Sequence, residues 1–181
     1  MRSTLLQSMI EKLQHWKTKS MELEDREVNV SLVHKYARRF EVDPYLLLAI
    51  IDVENAPWNI WSSRYEENYS YFTIPDHFAK LNGISRKTEL ILQKCSWGLA
   101  QIMGGTARFM GYQGPIPALI VPDKNLYWMA RFVAKLQSDF GVRNEVISAY
   151  NQGSPEKKAD GSYKNQDYVD KVLKALSKYR K

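Results

Sequence analysis

Apolar residues recur at spacings of three and four along most of the chain, which is the pattern of amphipathic α-helices. The spacing predicts longer helices over residues 3–18, 30–40, 44–54, 123–140, 144–150 and 167–179. It predicts shorter helices over residues 76–82, 86–94, 98–103 and 106–110. The polar run 21–27 has no apolar period and is expected to be a solvated connector. Together these elements predict an all-α, mainly helical protein.

The helix predicted over 44–54 differs from the others because it is apolar nearly all round. Asp43 is a favoured N-cap residue, and Pro44 is favoured at the first helical position. Pro57 disfavours helical geometry at the residue before it, so the helix is expected to end near Glu54. A helix without a polar face is usually buried. We therefore expect this helix to lie at the centre of the fold.

Glu54 is the residue of this helix that does not fit an apolar interior. Ile51, Ile50 and Leu47 lie three, four and seven positions before it and share its helix face. Burial and the negative end of the helix dipole both favour the protonated carboxyl, so both raise its pKa, as a general acid requires. A glutamate that emerges into solvent or pairs with an arginine explains the position equally well at this point. Asp52 lies roughly 200° away around the same helix, which favours an ion pair or a cap.

The stretch over 58–75 has no helical period and is predicted to be a loop, a short hairpin or an irregular lobe. Its six aromatic residues are Trp58, Trp61, Tyr65, Tyr69, Tyr71 and Phe72. Its polar residues include Asn59, Arg64, Glu66 and Asn68. Sugars present flat C–H faces that stack on aromatic rings, and their hydroxyl groups need polar partners. The combination favours a carbohydrate-binding surface, although for each ring taken singly a place in the core is the more common role.

The composition fits one globular domain: the 181 residues are 44% apolar and 25% charged, which excludes a disordered or fibrous protein. The chain carries 26 basic and 20 acidic residues, a formal net charge of +6. Such a charge favours a polyanionic partner, which is nucleic acid, an acidic membrane leaflet or bacterial cell wall. Much of the excess lies after position 153, where eight basic residues stand against four acidic ones.

Other chemistries find little support in the sequence. His15, His34 and His77 are far apart, and none has the His-Glu-x-x-His spacing of a metalloprotease. Cys95 stands alone, which excludes an intrachain disulfide framework and a Cys-rich zinc site. No glycine-rich phosphate loop follows a predicted strand, and no window reaches the about 18 apolar residues of a transmembrane helix. We therefore expect no metal, no cofactor and no transmembrane segment.

Three segments, in order along the chain, resemble the motifs of soluble lytic transglycosylase (SLT, goose-lysozyme-like) domains. Glu54-Asn55, after Leu-Leu-Ala-Ile-Ile-Asp-Val, resembles the Glu-Ser motif of that family. Ser96-Trp97-Gly98-Leu99-Ala100-Gln101-Ile102-Met103 is similar to its Ser-x-Gly-Leu-Met-Gln-Ile-Met segment. Ala149-Tyr150-Asn151-Gln152-Gly153 is similar to its Ala-Tyr-Asn-Ala-Gly. The likeness runs from about residue 30 to 176, and the phrase Arg64-Tyr65-Glu66 resembles the bacteriophage-type subgroup.

The resemblance implies a lysozyme-like fold with Glu54 as the catalytic acid and base. The residues that it implies as substrate-binding or supporting are Asn55, Arg64, Tyr65, Glu66, Ser96, Gly98, Gln101, Tyr150 and Asn151. Among these, Gln101 would bind sugar in the cleft, and Ser96 would support it. Tyr150 and Asn151 would help to orient the acid and the substrate.

The family mechanism implied by the resemblance needs one carboxyl group. Glu54 would protonate the glycosidic oxygen between N-acetylmuramic acid and N-acetylglucosamine. It would then take the proton of the C6 hydroxyl of the muramic acid, which closes a 1,6-anhydro ring without consuming water. The alternative second carboxylate is Glu66, with Glu67 behind it. The sequence departs from the family in two places. Asn55 replaces Ser, and its amide is able to donate a hydrogen bond to the substrate or to Glu54. Extra residues over about 60–94 are expected to enlarge one wall of the cleft.

Two other functions stay open from the sequence. A lysozyme-like muramidase would hydrolyse the same bond with water, and a cell-wall-binding or phage-tail structural module would retain the fold without catalysis. Nucleic-acid binding is disfavoured because the basic residues do not form an aromatic-interleaved stripe. The expected partner is the glycan strand of peptidoglycan, bound by a monomer.

The organisation and location of the protein are likewise expectations. Residues 1–25 are expected to be a helical extension of a catalytic domain over 26–181. The first residues lack the continuous apolar stretch and small-residue cleavage site of a signal peptide. We therefore expect synthesis in the cytoplasm, with access to the cell wall through a membrane pore or as a virion component.

Overall fold

The computed structural model describes residues 24–56 and 58–180, and this part of the chain is mainly helical. The α-helices are α1 (24–40), α2 (Pro44–Glu54), α3 (Pro75–Asn82), α4 (Arg86–Gln93), α5 (Gly104–Phe109), α6 (Pro122–Phe140), α7 (Arg143–Gln152) and α8 (Gln166–Tyr179). A 3₁₀-helix covers Ile116–Ile120, and the strands are β1 (Ser63–Tyr65), β2 (Cys95–Trp97) and β3 (Ile102–Met103). The mainly helical, lysozyme-like fold expected from the sequence is confirmed.

The central helix forms as predicted. The side chain of Asp43 accepts a hydrogen bond from the backbone N–H of Tyr45 at 2.9 Å, which caps α2, and Pro44 occupies the first turn. All six residues over 46–51 are buried, so α2 has no solvent-exposed face along its middle. It packs most extensively against α8, and α1, α6 and α7 complete the main core around it. The prediction of a buried central helix is confirmed.

Two predicted elements are wrong. The polar run 21–27 was expected to be a connector, but its described residues, 24–27, belong to α1. These residues are charged and exposed, and they form a helical turn although they have no apolar period. They do so because Glu and Arg are good helix formers. The predicted helix 98–103 is instead a turn that leads into β3, since Gly98 and Gln101 have φ of +67° and +46°. The predicted helix 3–18 and most of the expected extension lie outside the described residues.

The strand within 58–75 does not form a local hairpin. Strand β1 pairs antiparallel with β2, more than thirty positions further along, and β2 pairs with β3. Arg64 lies opposite Ser96, and Ser96 lies opposite Met103. The sheet therefore joins the segment after Glu54 to the segment that carries Ser96 and Gln101.

A second, smaller core surrounds Ile102, Ala107, Ile116 and Leu119. We call the part of the chain built on it, with the sheet and α3 to α5, the small lobe. Helix α2 ends at Glu54 where the main core meets this lobe. Among the described residues, no helix is both long enough and apolar enough to cross a membrane.

Candidate active site

A cleft of about 800 Å³ lies between the main core and the small lobe. Seven of the ten residues singled out in the sequence line it: Glu54, Arg64, Glu66, Ser96, Gln101, Tyr150 and Asn151. These side chains come from α2, the sheet and α7, so the three motif segments converge on one site. Asn55, Tyr65 and Gly98 do not line the cleft.

Glu54 is the last residue of α2 and is largely buried within the wall of the cleft. Its Oε1 accepts a hydrogen bond from the hydroxyl of Tyr168 at 2.7 Å. Burial raises the pKa of Glu54 above its usual value and outweighs the Tyr168 hydrogen bond and the Arg64 charge, which lower it. The nearby Glu66 carboxylate raises the pKa further. The cleft therefore contains a carboxyl group that binds its proton more tightly than a free glutamic acid does.

Tyr168 is a site residue that the sequence reasoning missed. It lies at the start of α8, one turn before Val172 on the face that packs towards α2. A tyrosine that continues an apolar helix face signals a buried hydroxyl that needs a partner. The sequence does not say which partner, because Tyr168 and Glu54 are 114 positions apart.

Tyr150 supports the site from α7, beside Glu54. Its hydroxyl donates to the carbonyl oxygen of Ala100 at 2.8 Å, which ties α7 to the turn before Gln101. Burial and the Glu54 charge raise the pKa of both Tyr150 and Tyr168 well above the usual value. Both phenols therefore stay protonated and act as hydrogen-bond donors at neutral pH.

Gln101 lines the cleft, and most of its hydrogen-bonding capacity is used inside the protein. Its Oε1 accepts from the hydroxyl of Ser96 at 2.7 Å. Its Nε2 donates to the carbonyl oxygens of Gly98 at 2.7 Å and Ser62 at 3.3 Å. Both amide donors are taken, so a sugar hydroxyl finds only the second lone pair of Oε1. Ser96 supports the cleft through this contact.

Asn55 and Gly98 act behind the cleft. The Asn55 side chain is buried and donates to the carbonyl oxygens of Asn59 at 2.7 Å and Gly98 at 3.3 Å. The expectation that Asn55 donates to substrate or to the Glu54 carboxylate is therefore wrong, because both of its N–H groups bind backbone. Gly98 has φ of +67°, and a Cβ there would lie 2.7 Å from the amide nitrogen of Asn125. Glycine is required at position 98 by the positive φ of the backbone and by the close approach of Asn125.

Asn125 is a second residue that the sequence did not reveal. It is fully buried on α6, and its Oδ1 accepts from the backbone N–H of Ala100 at 2.8 Å. Its Nδ2 donates to the carbonyl oxygens of Trp97 at 2.7 Å and Leu119 at 2.9 Å. One side chain thus fixes the turn that presents Gln101 to the cleft.

Arg64 and Glu66 form an ion pair on the lobe side of the cleft. The pair is solvent-exposed, so its contribution to stability is small. Tyr65 lies between them in the sequence, and its ring lies against Lys94, whose Nζ is 5.7 Å from the ring centroid. Successive strand residues point to opposite faces, which explains why Tyr65 does not line the cleft. Its role as a substrate-binding or supporting residue stays a prediction.

Asp52 has the structural role favoured from the sequence. It accepts hydrogen bonds from the indole N–H of Trp58 at 2.8 Å and the hydroxyl of Tyr179 at 2.7 Å. Arg26 lies 3.7 Å from the same carboxylate. Burial and the Asp52 carboxylate raise the pKa of Tyr179 to about 12, so its hydroxyl remains a donor. Asp52 therefore joins α1, α2 and α8 away from the cleft.

Asn151 is exposed in the cleft, and Asn165 orients its amide. The Nδ2 of Asn165 donates to Asn151 Oδ1 at 3.0 Å, while the Oδ1 of Asn165 accepts from the Ser148 hydroxyl at 2.7 Å. Asn165 occupies the N-cap of α8 but makes no side-chain cap hydrogen bond. Its side chain is used to hold Asn151, whose own amide nitrogen is left to face a substrate.

Half of the aromatic residues in 58–75 belong to the cleft. Tyr69, Tyr71 and Phe72 line it. Trp58 is buried against Arg26, whose guanidinium carbon is 4.9 Å from the ring centroid, and Trp61 is exposed outside the cleft. Within the described part of the chain, no group of three or more His, Cys, Asp or Glu side chains is placed to hold a metal ion.

A mainly helical fold with a partly buried glutamic acid at the end of its central helix, open to a cleft, is lysozyme-like. The family model described as "Transglycosylase SLT domain" matches residues 31–172, so the chain belongs to that family. Members of this family are peptidoglycan lytic transglycosylases, and the protein is therefore an enzyme that acts on peptidoglycan. A search of curated proteins found no match.

Proposed function

We propose that the protein cleaves the β-1,4 bond between N-acetylmuramic acid and N-acetylglucosamine and leaves a 1,6-anhydro end, with Glu54 as the single acid and base. The observation that carries the proposal is the place of Glu54 at the end of α2 in the wall of the cleft, where its raised pKa is of the sign that the first step needs. Tyr168 binds Oε1, which leaves Oε2 as the oxygen that meets the substrate.

In the first step Glu54 donates its proton to the glycosidic oxygen, and the bond from that oxygen to C1 of the muramic acid breaks. In the second step the C6 hydroxyl oxygen of the same sugar bonds to C1, and its proton returns to the Glu54 carboxylate. The Tyr168 hydrogen bond stabilises the carboxylate between the two steps. The acid is regenerated, and no water is consumed.

The rival reaction uses water in place of the C6 hydroxyl and commonly needs a second carboxylate. Glu66 is the main candidate for that carboxylate, and its Oε1 is bound by the guanidinium of Arg64. The contact occupies one of the two carboxylate oxygens that would have to accept a proton from water, which supports the single-carboxyl mechanism. Glu66 is therefore assigned to positioning Arg64 and to hydrogen bonding with the glycan.

The test is mass spectrometry of the muropeptides released from purified peptidoglycan by the wild type, Glu54→Gln and the matched control Glu66→Gln. We expect anhydro-muropeptides from the wild type and from Glu66→Gln. We expect Glu54→Gln to fold but to lose at least about a hundredfold in rate, the smallest usual effect of removing a general acid. Products one water heavier, with reducing ends, would establish hydrolysis. Loss of all activity in Glu66→Gln would establish a two-carboxylate mechanism.

The biological setting is part of the same proposal. The likeness of Arg64-Tyr65-Glu66 to the bacteriophage-type subgroup supports a role as an endolysin in host lysis or as a virion component that opens the wall locally. The protein would act as a monomer on the outer side of the cytoplasmic membrane. Expression in bacteria should then cause lysis only after the membrane is permeabilised, and light scattering should give the mass of one chain. Lysis without permeabilisation would contradict this route.

A further inference from the structure

The outer face of α6 carries basic side chains interleaved with aromatic ones. Lys124, Trp128, Arg131 and Lys135 follow one another at spacings of four, three and four, so they lie along one line of the helix. The line runs for about 16 Å, because an α-helix rises about 1.5 Å per residue. The expectation that the basic residues form no aromatic-interleaved stripe is therefore wrong for α6. Nothing in the proposed reaction uses this line of side chains.

Two arginines of this surface lie over aromatic rings. The guanidinium carbon of Arg131 is 5.1 Å from the ring centroid of Trp128. Arg39, near the end of α1, is 5.1 Å from the ring centroid of Tyr127, and the two rings pack edge to face. Stacking holds a guanidinium in place while its N–H groups stay available to an anion. We call the cations of this surface the basic ridge: Arg39, Lys124, Arg131 and Lys135.

The ridge has more positive charges than counter-charges. Its three cations other than Lys135 form no ion pair within the described part of the chain. Two carboxylates beside the ridge already have partners. Asp139 binds Lys135 at 2.7 Å, and Asp123 binds Lys35 at 3.1 Å and the hydroxyl of Tyr36 at 2.6 Å. The ridge therefore attracts anions.

The ridge reaches the cleft at one end. The Nζ of Lys135 is 5.7 Å from the ring centroid of Phe109, and Phe109 lines the cleft. Phe132, three positions before Lys135, lines the same cleft and packs its ring 5.6 Å from that of Tyr150. A polymer attached to a bound glycan strand can therefore contact the ridge where it leaves the cleft.

The form of the ridge favours a linear polyanion. Positive charges along one line match a chain with an anion in every repeat, whereas peptide stems carry their carboxylates on separate short branches. The rings of Tyr127 and Trp128 are half-buried beneath guanidinium groups, so they are not free to stack on nucleic-acid bases or to enter a bilayer. Lysine and arginine are the usual partners of phosphate.

We propose that the basic ridge binds a linear phosphodiester polymer of the cell wall, at a second site outside the catalytic cleft. The proposal rests on the proposed function, which brings the protein to the wall. Binding there would hold the enzyme on its insoluble substrate between cleavage events, because each ridge contact is independent of the glycosidic bond in the cleft.

The test uses isolated, unsubstituted poly(glycerol phosphate), which contains no glycosidic bond for Glu54 to cleave. Calorimetry at physiological salt would compare the wild type with the double variant Lys124→Gln, Arg131→Gln. Each basic side chain near an anionic surface contributes about fivefold to the affinity. We therefore expect the double variant to bind the polymer about twenty-fivefold more weakly than the wild type.

The matched control is the double variant Lys171→Gln, Lys174→Gln on α8. Both lysines are exposed, and they lie four positions after Asp167 and Asp170, so acidic and basic side chains share that face. The control removes the same formal charge from the chain. Its affinity should stay within about twofold of the wild type, because salt screens charges outside the binding surface.

Equal losses of affinity in the two double variants would overturn the proposal, because net charge and not the ridge would then set the affinity. A wild type that does not bind the polymer would overturn it as well. Ridge-dependent binding that is tighter to phosphatidylglycerol vesicles, duplex DNA or a stem-bearing muropeptide than to the polymer would also overturn it, since the ligand would then be of another class.

Thermal melts show whether the ridge variant folds. If loss of the Arg131 contact with Trp128 prevents folding, the exposed pair Lys124→Gln, Arg39→Gln takes its place with the same expected loss of affinity. The outcome is separate from that of the proposed function. Reducing ends in the digested wall would refute the proposed reaction and leave polymer binding unchanged, whereas loss of polymer binding would leave the reaction unchanged.

Discussion

Glu89→Gln removes the negative charge opposite Arg108 and keeps the shape of the side chain. The wild-type carboxylate meets the guanidinium at 2.8 and 3.1 Å, with no exposed surface on either group. A glutamine amide has one acceptor oxygen, so its NH₂ group would face an N–H of Arg108. The variant therefore leaves a buried guanidinium without a counter-charge and with two donors in opposition.

Removing one partner of a buried ion pair typically costs about 3–5 kcal/mol. Arg108 keeps its hydrogen bonds to the carbonyl oxygens of Tyr112 at 2.8 Å and Gly114 at 2.7 Å, and the Phe78 ring 4.4 Å away also remains. These contacts place the loss near the lower end, about 3 kcal/mol. For a chain of this length 1 kcal/mol corresponds to roughly 2–4 °C in Tm, so Tm should fall by about 6–12 °C.

Urea unfolding followed by circular dichroism at pH 7, with thermal melts, measures this loss. Asp139→Asn is the matched control, because Lys135 and Asp139 form an exposed pair one helical turn apart, with side chains 36% and 38% exposed. That change should cost no more than about 0.5 kcal/mol. The double variant Glu89→Met with Arg108→Met should be more stable than Glu89→Gln, since it leaves no unpaired buried charge.

A loss below about 1 kcal/mol in Glu89→Gln, or a loss equal to that of the exposed control, would refute this reasoning. So would a double variant less stable than Glu89→Gln. A loss that small would mean that water reaches Arg108.

The cleft itself offers three further tests. Tyr168→Phe removes a hydrogen bond that favours ionised Glu54, so the pKa of Glu54 should rise and the alkaline limb of kcat/KM against pH should move to higher pH; an unmoved limb would exclude this donor. Asn165→Asp puts an acceptor against Asn151 Oδ1 and should reverse that amide, raising KM about tenfold. It should also lower Tm, because the new carboxylate faces the Ser148 carbonyl oxygen that the Asn165 amide binds at 3.0 Å. An unchanged KM would show that the orientation of Asn151 is irrelevant. Gly98→Ala forces φ of +67° on a residue with a Cβ and should lower the free energy of unfolding, measured by urea unfolding, by about 2 kcal/mol or more. A loss under about 0.5 kcal/mol would contradict the close approach of Asn125 to Gly98.

Local sequence was enough to predict that Glu54 lies at the end of a buried helix. The N-cap Asp43, Pro44 in the first turn and the apolar run before Glu54 are all signals within a few residues of one another. An apolar run predicts burial because no side of the helix can face water at low cost. The helices over 122–140 and 166–179 followed in the same way from their apolar period.

The segment 98–103 shows where local reasoning fails. Its apolar residues fit a helical period, but the backbone turns at Gly98 and Gln101. Asn125 binds the backbone on both sides of Gly98, and Ser96 binds the side chain of Gln101. Those partners are contributed by α6 and β2, and periodicity carries no information about them. The same limit explains why Asn55 was assigned to the substrate when its donors bind backbone.

The sequence by itself determined a mainly helical chain, a buried central helix that ends at Glu54, and three motifs in family order. The tertiary structure alone decided that Tyr168 donates to Glu54 from the last helix and that the buried Gln93 side chain binds the backbone of Thr73 beside the cleft. The physical reason is the separation along the chain over which each effect acts. Propensity and periodicity act between residues within about one or two helical turns, whereas desolvation and hydrogen-bond partners are set by whichever distant elements pack together.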